Sequence, residues 1–525
     1  MIRVDVLLPL VFDEQLIRKK CAEKLRREIE PSCSVRLLRL TVDAHDPRNI
    51  CYKTALLLSL DKKSESFLIQ RGYASKYEET PFSLPKIQKL PSRPVVVGLG
   101  PCGLFAALIL AESGACPIIL ERGMDVETRT RAVENFYRDG ILDPENNIQF
   151  GEGGAGSFSD GKLKVGSMTG QKRKVLETLV WAGAPEQILY SGEAHVGTDL
   201  LRNIVKKIRQ HIEDLGGTVI FGAKLEDIVL EKANVRGIRY RYQNQDHQIS
   251  CSSLFLATGH SARDTFRMLA DRGIVMEARG FGIGVRVEHP RQYINRMIYG
   301  ENPPQELGAA SYHLVTHLKN GRSVYSFCMC PGGQVVAAAS EKGTVVTNGM
   351  SLHARCDKNS NAALLVSVRP DDFGNSPLAG LDFQQKYERL AYEISKDYRA
   401  PAIRMEDFLC GKESQCLGEV DPSYPLGVVL NGLESCLPKF ALESLRAAIP
   451  EFDAYKKGFY LPDAVLTGVE TRTTSPIRIP RGEDGQAIGG LYPCGEGAGY
   501  AGGIISSAVD GIEAAVRFLK KHQKQ

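Results

Sequence analysis

The 525-residue chain lacks several features that would narrow its class at once. None of its 13 cysteines stands in a C-x-x-C pair, which disfavours a zinc site or a thioredoxin-type dithiol, and we predict no metal site. The odd, scattered cysteine count is typical of reduced thiols and predicts a cytoplasmic protein. The first apolar run is too short, and too interrupted by charge, for a signal peptide or a membrane span. A formal charge of +4 points to no particular partner.

The order of strand-like and helix-like patterns predicts an α/β fold in four consecutive segments. Residues 1–90 form a small N-terminal α+β domain of β-α-β-β order, which ends in a proline-rich linker. Residues 91–273 and 466–525 form the two parts of a nucleotide-binding domain. Residues 274–465, which are richer in short strands and turns, are predicted to be an inserted β-rich α+β substrate domain.

The stretch VVVGLGPCGLFAALILAESGACPIILER, residues 95–122, predicts the nucleotide site. After a buried strand, Gly98 permits a tight turn, Gly100 lets a pyrophosphate approach the backbone, and Gly103 lets the helix pack on the strand. The helix N-terminus favours the phosphate charge, and Glu121 at the end of the next strand can accept hydrogen bonds from ribose hydroxyls. The residues predicted to contact the dinucleotide here are Gly98, Gly100, Pro101, Cys102, Gly103, Glu121 and Arg122.

Two later stretches favour FAD over NAD as the dinucleotide. LFLATGHSA places small residues at a strand end, where the chain can pass close to the cofactor. In GGLYPCGEGAGYAGGIISS a carboxylate follows a strand and can bind a ribityl hydroxyl, and two glycines open a helix whose N-terminus can stabilise the reduced flavin. The predicted FAD contacts in these stretches are Ala257, Thr258, Gly259, Gly495, Glu496, Gly502, Gly503 and Ile504, with Leu225 as a further contact.

These three motifs, in this order, resemble the FAD domain of the glutathione-reductase-type flavoprotein superfamily. Further stretches, FGEGGAGSFSDGKL, FGIGVRVEHP, SFCMCPGGQVV, NGMS and ETRTTSPIRI, resemble a family of bacterial FAD-dependent dehydrogenases of unassigned substrate. The resemblance covers nearly the whole chain. It implies a Rossmann-type FAD-binding domain that carries the inserted substrate domain, and it leaves the substrate open.

The loop FGEGGAGSFSDGKL, residues 150–163, is predicted to wrap the pyrophosphate or the ribityl chain. Successive backbone N–H groups in a glycine-rich loop can form an anion-binding nest. We therefore expect cofactor contacts from Gly153, Gly154, Gly156 and Ser157. Lys162 can balance the phosphate charge or lie over the flavin ring. A flexible surface loop is the alternative for this composition.

Four residues are candidates for the catalytic site. Arg472 in TGVETRTTSPIRIPR precedes the last FAD strand and can orient an anionic substrate or stabilise reduced flavin, with Glu470 as its expected ion-pair partner. Cys328 and Cys330 in SFCMCPGG can form a redox pair if Pro331 and the two glycines that follow it bend the strand. The alternatives are a purely structural ion pair and two small buried side chains. His260 follows the A-T-G motif and receives no catalytic role.

Three functions remain open at this stage. The sequence favours an FAD-dependent oxidoreductase that passes a hydride between a small molecule and flavin N5. The absence of a second G-x-G-x-x-G disfavours a separate NAD(P) domain, but NAD(P)H can still be a transient donor at the flavin face. An RNA-linked role would use a basic predicted helix that runs to about Ile29, whereas a flavin-holding sensor would have no turnover. The basic helix carries Arg18, Lys19, Lys20, Lys24, Arg26 and Arg27. We expect a small-molecule partner rather than nucleic acid or a membrane, and the oligomeric state is open.

Overall fold

The N-terminal unit is a four-stranded sheet with two helices. The computed structural model describes residues 1–85, 87 and 90–523, and the fold is mixed α/β. The unit comprises β1 Ile2–Leu8, α1 Glu14–Leu25, β2 Val35–Asp43, β3 Cys51–Leu58, α2 Lys62–Gln70 and β4 Ser75–Lys76. The strand order is β2-β3-β1-β4, which is a ferredoxin-like β-α-β-β-α-β arrangement. The sequence pattern missed α2, whose apolar residues Phe67, Leu68 and Ile69 are consecutive rather than spaced along one helical face.

The basic helix α1 is shorter than predicted. Asp13 caps its start by accepting a hydrogen bond from the backbone N–H of Leu16 at 2.8 Å. The helix ends at Leu25 because Arg26 adopts a left-handed conformation with φ of 54°. Arg26 and the residue after it therefore leave the predicted basic face. Two of the remaining cations form ion pairs within α1, namely Arg18 with Glu14 and Lys20 with Glu23.

The next part of the chain builds a parallel sheet and a small antiparallel one. Its elements are β5 Val95–Val97, α3 Pro101–Glu112, β6 Ile118–Glu121, α4 Val126–Asp139, α5 Gly170–Ala182, α6 Thr198–Asp214, β7 Thr218–Phe221, β8 Lys224–Glu231, β9 Asn234–Tyr242, β10 Gln245–Ser250, β11 Leu254–Leu256, α7 Arg263–Asp271 and β12 Glu277–Ala278. Short 3-10 helices cover Gly154–Phe158 and Glu186–Leu189. The strands β8, β9 and β10 form an antiparallel meander.

A seven-stranded sheet dominates the following segment, in which β16 and β17 form a separate two-stranded sheet. The elements of this segment are β13 Phe281–Pro290, α8 Arg291–Tyr299, β14 Val315–His317, β15 Ser323–Cys330, β16 Gln334–Ala337, β17 Thr347–Met350, β18 Asn359–Val368, α9 Pro370–Phe373, α10 Ala379–Ser395, β19 Ala400–Arg404, α11 Met405–Cys410, β20 Val428–Leu430, α12 Leu433–Cys436, α13 Lys439–Tyr455 and β21 Val465–Glu470. The order is β14-β15-β18-β13-β21-β19-β20, so this sheet continues to Glu470, past the predicted limit at 465.

The C-terminal segment returns to the parallel sheet. It contributes β22 Ile477–Arg478, β23 Leu491–Pro493 and α14 Ile504–Lys521. The five parallel strands run in the order β23-β11-β5-β6-β7, and α14 packs on α3 over a shared apolar core. Because all five strands are parallel, their carboxyl ends meet at one edge of the sheet. Within the described residues, no helix combines the length and apolar character that a membrane crossing requires.

Candidate FAD and active site

A cavity of about 490 Å³ lies at the carboxyl ends of the parallel strands. Gly98 follows β5, Glu121 ends β6, and Ala257, Thr258 and Gly259 follow β11, and all five line the cavity. Glu496, Gly502 and Gly503 of the third motif line it as well, so the cavity wall contains residues from all three sequence motifs. Ligands of open parallel sheets bind at this edge. The other predicted contacts that line it are Gly100, Pro101, Cys102, Arg122, Gly154, Gly156, Lys162, Leu225, Glu496, Gly502, Gly503 and Ile504.

Glycine is present at the three positions of the first motif for different structural reasons. Gly98 has φ of 99°, and a Cβ there would lie 2.4 Å from the Ala257 carbonyl oxygen. A Cβ on Gly103 would lie 1.9 Å from the Gly98 carbonyl oxygen, so Gly103 sets the close packing of α3 and lies outside the cavity wall. Gly100 has an ordinary φ of −74°, and the one neighbour that its Cβ would meet within 4 Å is Gly154. The backbone therefore does not require glycine at position 100, whereas a ligand in the cavity would.

Two helix N-termini without side-chain caps border the cavity. Helix α3 follows Gly100, helix α14 follows Gly503, and neither has a side-chain hydrogen bond to its first turn. A Cβ on Gly502 or Gly503 would meet no atom within 4 Å, so both leave room at the cavity wall. Free backbone N–H groups and the positive ends of two helix dipoles suit an anionic dinucleotide. On these observations the residues present fit FAD.

Glu121 also organises the loops around it. Its buried carboxylate accepts hydrogen bonds from the backbone N–H groups of Leu99 at 2.8 Å and of Gly123 and Gly151 at 2.9 Å each. One carboxylate thus joins the first glycine turn to the start of the glycine-rich loop. This second function is not visible in the sequence, where only its contact with ribose is predicted.

The glycine-rich loop is ordered rather than a flexible surface segment. Gly154 and Gly156 line the cavity, but Gly153 and Ser157 do not. Ser157 is buried, and its hydroxyl donates to the Glu152 carbonyl at 3.5 Å, while a Cβ on Gly153 would lie 1.9 Å from the Ser157 Oγ. These two predicted contacts therefore lie behind the loop, because its 3-10 turn points their atoms inward.

Sequence reasoning missed Arg129, which donates hydrogen bonds to the backbone of this loop. Its guanidinium is fully buried and donates to the carbonyls of Glu152 at 2.8 Å and Gly154 at 2.9 Å. Burial lowers the pKa of Arg129 to about 9. A charged residue on a helix such as α4 is ordinarily solvated, so the sequence contains no local signal for this role.

The last motif is divided between the cavity and the core. Glu496 lines the cavity, and burial raises the pKa of its carboxyl to about 7. Gly495 lies outside the cavity wall, and its Cβ would lie 2.8 Å from the Cys102 Cβ. Gly495 therefore allows α3 to pack on β23 rather than bordering the ligand space.

Arg472 does not pair with Glu470, contrary to the sequence prediction. Its Nη2 donates to Glu388 at 2.9 Å and its Nε donates to the same carboxylate at 3.1 Å. Arg263 donates to Glu388 as well, at 2.7 and 2.9 Å, so one carboxylate is shared by two buried guanidinium groups. The remaining Nη1 of Arg472, which lines the cavity, donates to Ser261 at 3.2 Å and to Ser340. Despite the opposing effect of burial, the two guanidinium groups hold the pKa of Glu388 well below its usual range.

Glu470 instead pairs with Arg286, a buried arginine of β13 that the sequence analysis did not single out. The Arg286 Nη2 donates to Glu470 at 2.8 Å, and its Nε bonds the other carboxylate oxygen. Burial raises the pKa of Glu470 to about 7 even though Arg286 lowers it. A lone arginine in the otherwise apolar FGIGVRV was the available signal for a buried ion pair.

His260 is half-buried in the cavity wall rather than solvated. Its Nδ1 lies 3.0 Å from the Ser261 Oγ. Burial, together with the neighbouring Arg472 and Arg263, lowers the pKa of His260 to about 3. The imidazole is therefore neutral at physiological pH.

Comparison with known proteins identifies the class of protein as FAD-dependent. Residues 280–473 match a family described as "FAD-dependent protein, C-terminal domain-like", and the cofactor of the protein is FAD, as the sequence predicts. An uncharacterized protein of Clostridium beijerinckii is 45% identical over 528 residues, covering 98% of each chain. The chain belongs to the same family as this clostridial protein.

Two solved structures with lower similarity are also flavoproteins by their descriptions. The flavin-dependent brominase Bmp2 is 12% identical with a TM-score of 0.36, covering 82% of this chain and 80% of that one. A flavoprotein/dehydrogenase from Cytophaga hutchinsonii is 12% identical with a TM-score of 0.35, covering 84% and 80% of the respective chains.

Proposed function

We propose that the protein is an FAD-dependent oxidoreductase that passes a hydride between a small molecule and the flavin. The observation that carries the proposal is one continuous cavity. It is lined by the dinucleotide motifs and also by Cys328, Asn348, Glu470 and Arg472 from the second part of the chain. A cofactor bound along the motifs would therefore share its space with ionisable groups, which is the arrangement of an active site rather than of a storage site.

The chain's own residues would hold the cofactor in three ways. The N–H groups at the start of α3 would bind the diphosphate, and Glu121 would accept from ribose hydroxyls. The start of α14, next to Glu496, would lie near the flavin end of the cofactor. FAD supplies the hydride acceptor when it is bound. This assignment corresponds to the glutathione-reductase-type arrangement that the sequence suggests.

The charges around the second half of the cavity are of both signs. Arg263 and Arg472 share the buried carboxylate of Glu388, and Arg263 also pairs with Glu341 at 3.2 Å, so two cations face two carboxylates. Lys162 and Lys164 add two cations to the wall, which also contains Asp160 and Glu470. Arg472 already donates to four oxygens, so we assign it as a positioning residue that fixes Ser261 and the adjoining backbone.

Anaerobic reduction tests the proposal. The FAD-loaded protein is mixed with NADH, with NADPH and with a panel of carboxylates, phosphates, thiols and alcohols while the visible flavin absorbance is followed. We expect one class of donor to bleach the flavin rapidly. Photoreduction of the same sample serves as the control that the flavin is reducible. If photoreduction succeeds and no donor in the panel bleaches the flavin, the protein is a flavin-holding scaffold and the proposal is wrong.

A further inference from the structure

The strand that carries Cys328 and Cys330 is bulged between them. In β15, Phe327 pairs with Ala363 and Cys330 with Asn361, and the register shifts between these two pairs. Cys328 has φ of 40°, which is rare for a residue with a side chain. On a regular strand two residues in alternate positions lie about 7 Å apart, too far for a disulfide. Because of the bulge, the spacing of about 7 Å in a regular strand does not apply to Cys328 and Cys330. The bulge lies before Pro331, whereas the sequence suggested a bend at Pro331 and the two glycines that follow it.

The bulge brings the two thiols together with different access to the cavity. The Cys330 Sγ lies 3.2 Å from the Cys328 carbonyl oxygen, so the Cys330 side chain folds back onto Cys328. Cys328 is half-buried and lines the cavity, whereas Cys330 is fully buried and does not line it. One sulfur can therefore meet a cavity ligand while the other lies behind it, as an attacking and a resolving thiol require.

Two cations contact the backbone of the pair, with the carboxylates of Asp160 and Glu470 nearby. The buried Arg286 donates to the Cys328 carbonyl at 2.8 Å, and its Nη1 lies 4.0 Å from the Cys330 Sγ. Lys162 donates to the carbonyl of Met329, between the two cysteines. The hydrogen bond from Cys330 lowers the pKa of the Cys328 thiol to about 5, with Arg286 and Lys162 acting in the same direction. The pKa of Cys330 is raised well above its usual value. These shifts favour a thiolate at Cys328 and a protonated thiol at Cys330.

We propose that Cys328 and Cys330 are a redox-active dithiol that exchanges two electrons with the bound flavin and accepts them from, or passes them to, small-molecule thiols and disulfides. The inference rests on the proposed function, because it requires FAD in the same cavity. With Cys328 as the thiolate, oxidation of the pair would form one S–S bond and release two electrons and the one S–H proton of Cys330. Bound FAD would take up both electrons and that proton, which gives its anionic reduced form. In the reverse direction the reduced flavin cleaves the S–S bond.

Counting electrons tests this inference independently of turnover. The FAD-loaded protein is oxidised with diamide, freed of reagent and titrated anaerobically with dithionite. The wild type should take up about four electrons per FAD, two for the flavin and two for the disulfide. Cys328→Ser and Cys330→Ser should each take up about two. Cys416→Ser, which changes an exposed free cysteine, should behave like the wild type.

Mass spectrometry locates the exchanging sulfurs. Trypsin releases residues 323–342 as one peptide, which contains Cys328 and Cys330 and no other cysteine. After diamide and denaturing alkylation this peptide should carry no label, and after dithionite it should carry one label on each cysteine. A wild type that takes up two electrons and whose peptide is fully labelled in both samples overturns the inference and leaves the oxidoreductase proposal standing. An intact electron count in a protein whose flavin is bleached by no donor of the panel would contradict the proposed function instead.

Discussion

Replacing Gly100 by valine should remove FAD binding without unfolding the protein. Gly100 has an ordinary φ, and the nearest neighbour of an added Cβ is the Gly154 Cα at 3.7 Å, so the fold has room for a side chain there. The methyl groups of valine would then occupy the space that we assign to the diphosphate. The direct cost to the fold is the weaker helix cap that valine provides, about 1 kcal/mol.

The magnitude follows from linkage between binding and stability. FAD at 100 times its dissociation constant should stabilise the wild type by about 2.7 kcal/mol. At roughly 2–4 °C per kcal/mol for a domain of ordinary size, this corresponds to a rise in melting temperature of about 5–10 °C. Gly100→Val should show no rise at the same FAD concentration, and it should purify without visible flavin absorbance.

Two further glycine variants make the assay decisive. Gly308 is exposed, and a Cβ there would meet nothing within 4 Å, so Gly308→Val is the matched control and should retain the full FAD-dependent rise. Gly98→Ala should instead destabilise the protein with or without FAD, because its φ is 99° and its Cβ would lie 2.4 Å from the Ala257 carbonyl oxygen. A yellow Gly100→Val protein with full FAD occupancy and an unchanged thermal shift would refute our placement of the diphosphate.

Three further predictions concern charge. Glu388→Gln leaves the buried Arg472 without a carboxylate partner and Arg263 with Glu341 alone, and it should lower the free energy of unfolding by about 3 kcal/mol in urea titrations, whereas Glu393→Gln, at an exposed site on the same helix, should change it little. His289 is fully buried and its pKa is lowered to about 4, so its neutral form stabilises the fold above pH 6.5 and this contribution is lost as the pH falls toward 4. Between these pH values His289 should contribute a slope of the unfolding free energy against pH that approaches about 1.4 kcal/mol per pH unit. His289→Gln should reduce the measured slope by this contribution, and an unchanged slope would contradict the prediction. RNA binding should be weak and should not fall steeply with salt, because the ion pairs within α1 reduce its free positive charge; a steep salt dependence in filter binding would revive the nucleic-acid alternative.

The sequence predicts well those site features that the local backbone imposes. Gly98 needs a left-handed φ, and Gly103 allows close packing of the helix, so each is readable from its place between a strand and a helix. The same reasoning overreached at Gly153, Ser157 and Gly495, which were predicted as ligand contacts although the first two turn inward and Gly495 packs against Cys102. A glycine-rich composition indicates that a loop folds tightly but not which atoms face the ligand.

Pairing between distant charges could not be predicted. Arg472 lies two residues from Glu470 in the chain and 84 from Glu388, yet it pairs with Glu388. In a strand, residues two apart share a face, but β21 ends at Glu470, so Arg472 lies beyond the regular strand where this rule fails. Helix α10 supplies the carboxylate from another part of the fold, and only the tertiary structure brings it near.

The buried charge cluster also explains how two sheets can form one active cavity. Arg263 belongs to α7, next to the parallel sheet, whereas Glu388 belongs to α10, which packs on the seven-stranded sheet. Apolar contacts are non-directional and would tolerate small shifts between these two parts, but bidentate guanidinium–carboxylate pairs are directional and fix their orientation. Because Arg472 is bonded to the same carboxylate and lines the cavity, the charges that join the two parts also set the position of the cavity wall. The bulge with Cys328 lies on the seven-stranded side of this joint, so we expect its position relative to the parallel sheet to depend on Glu388 as well as on local contacts.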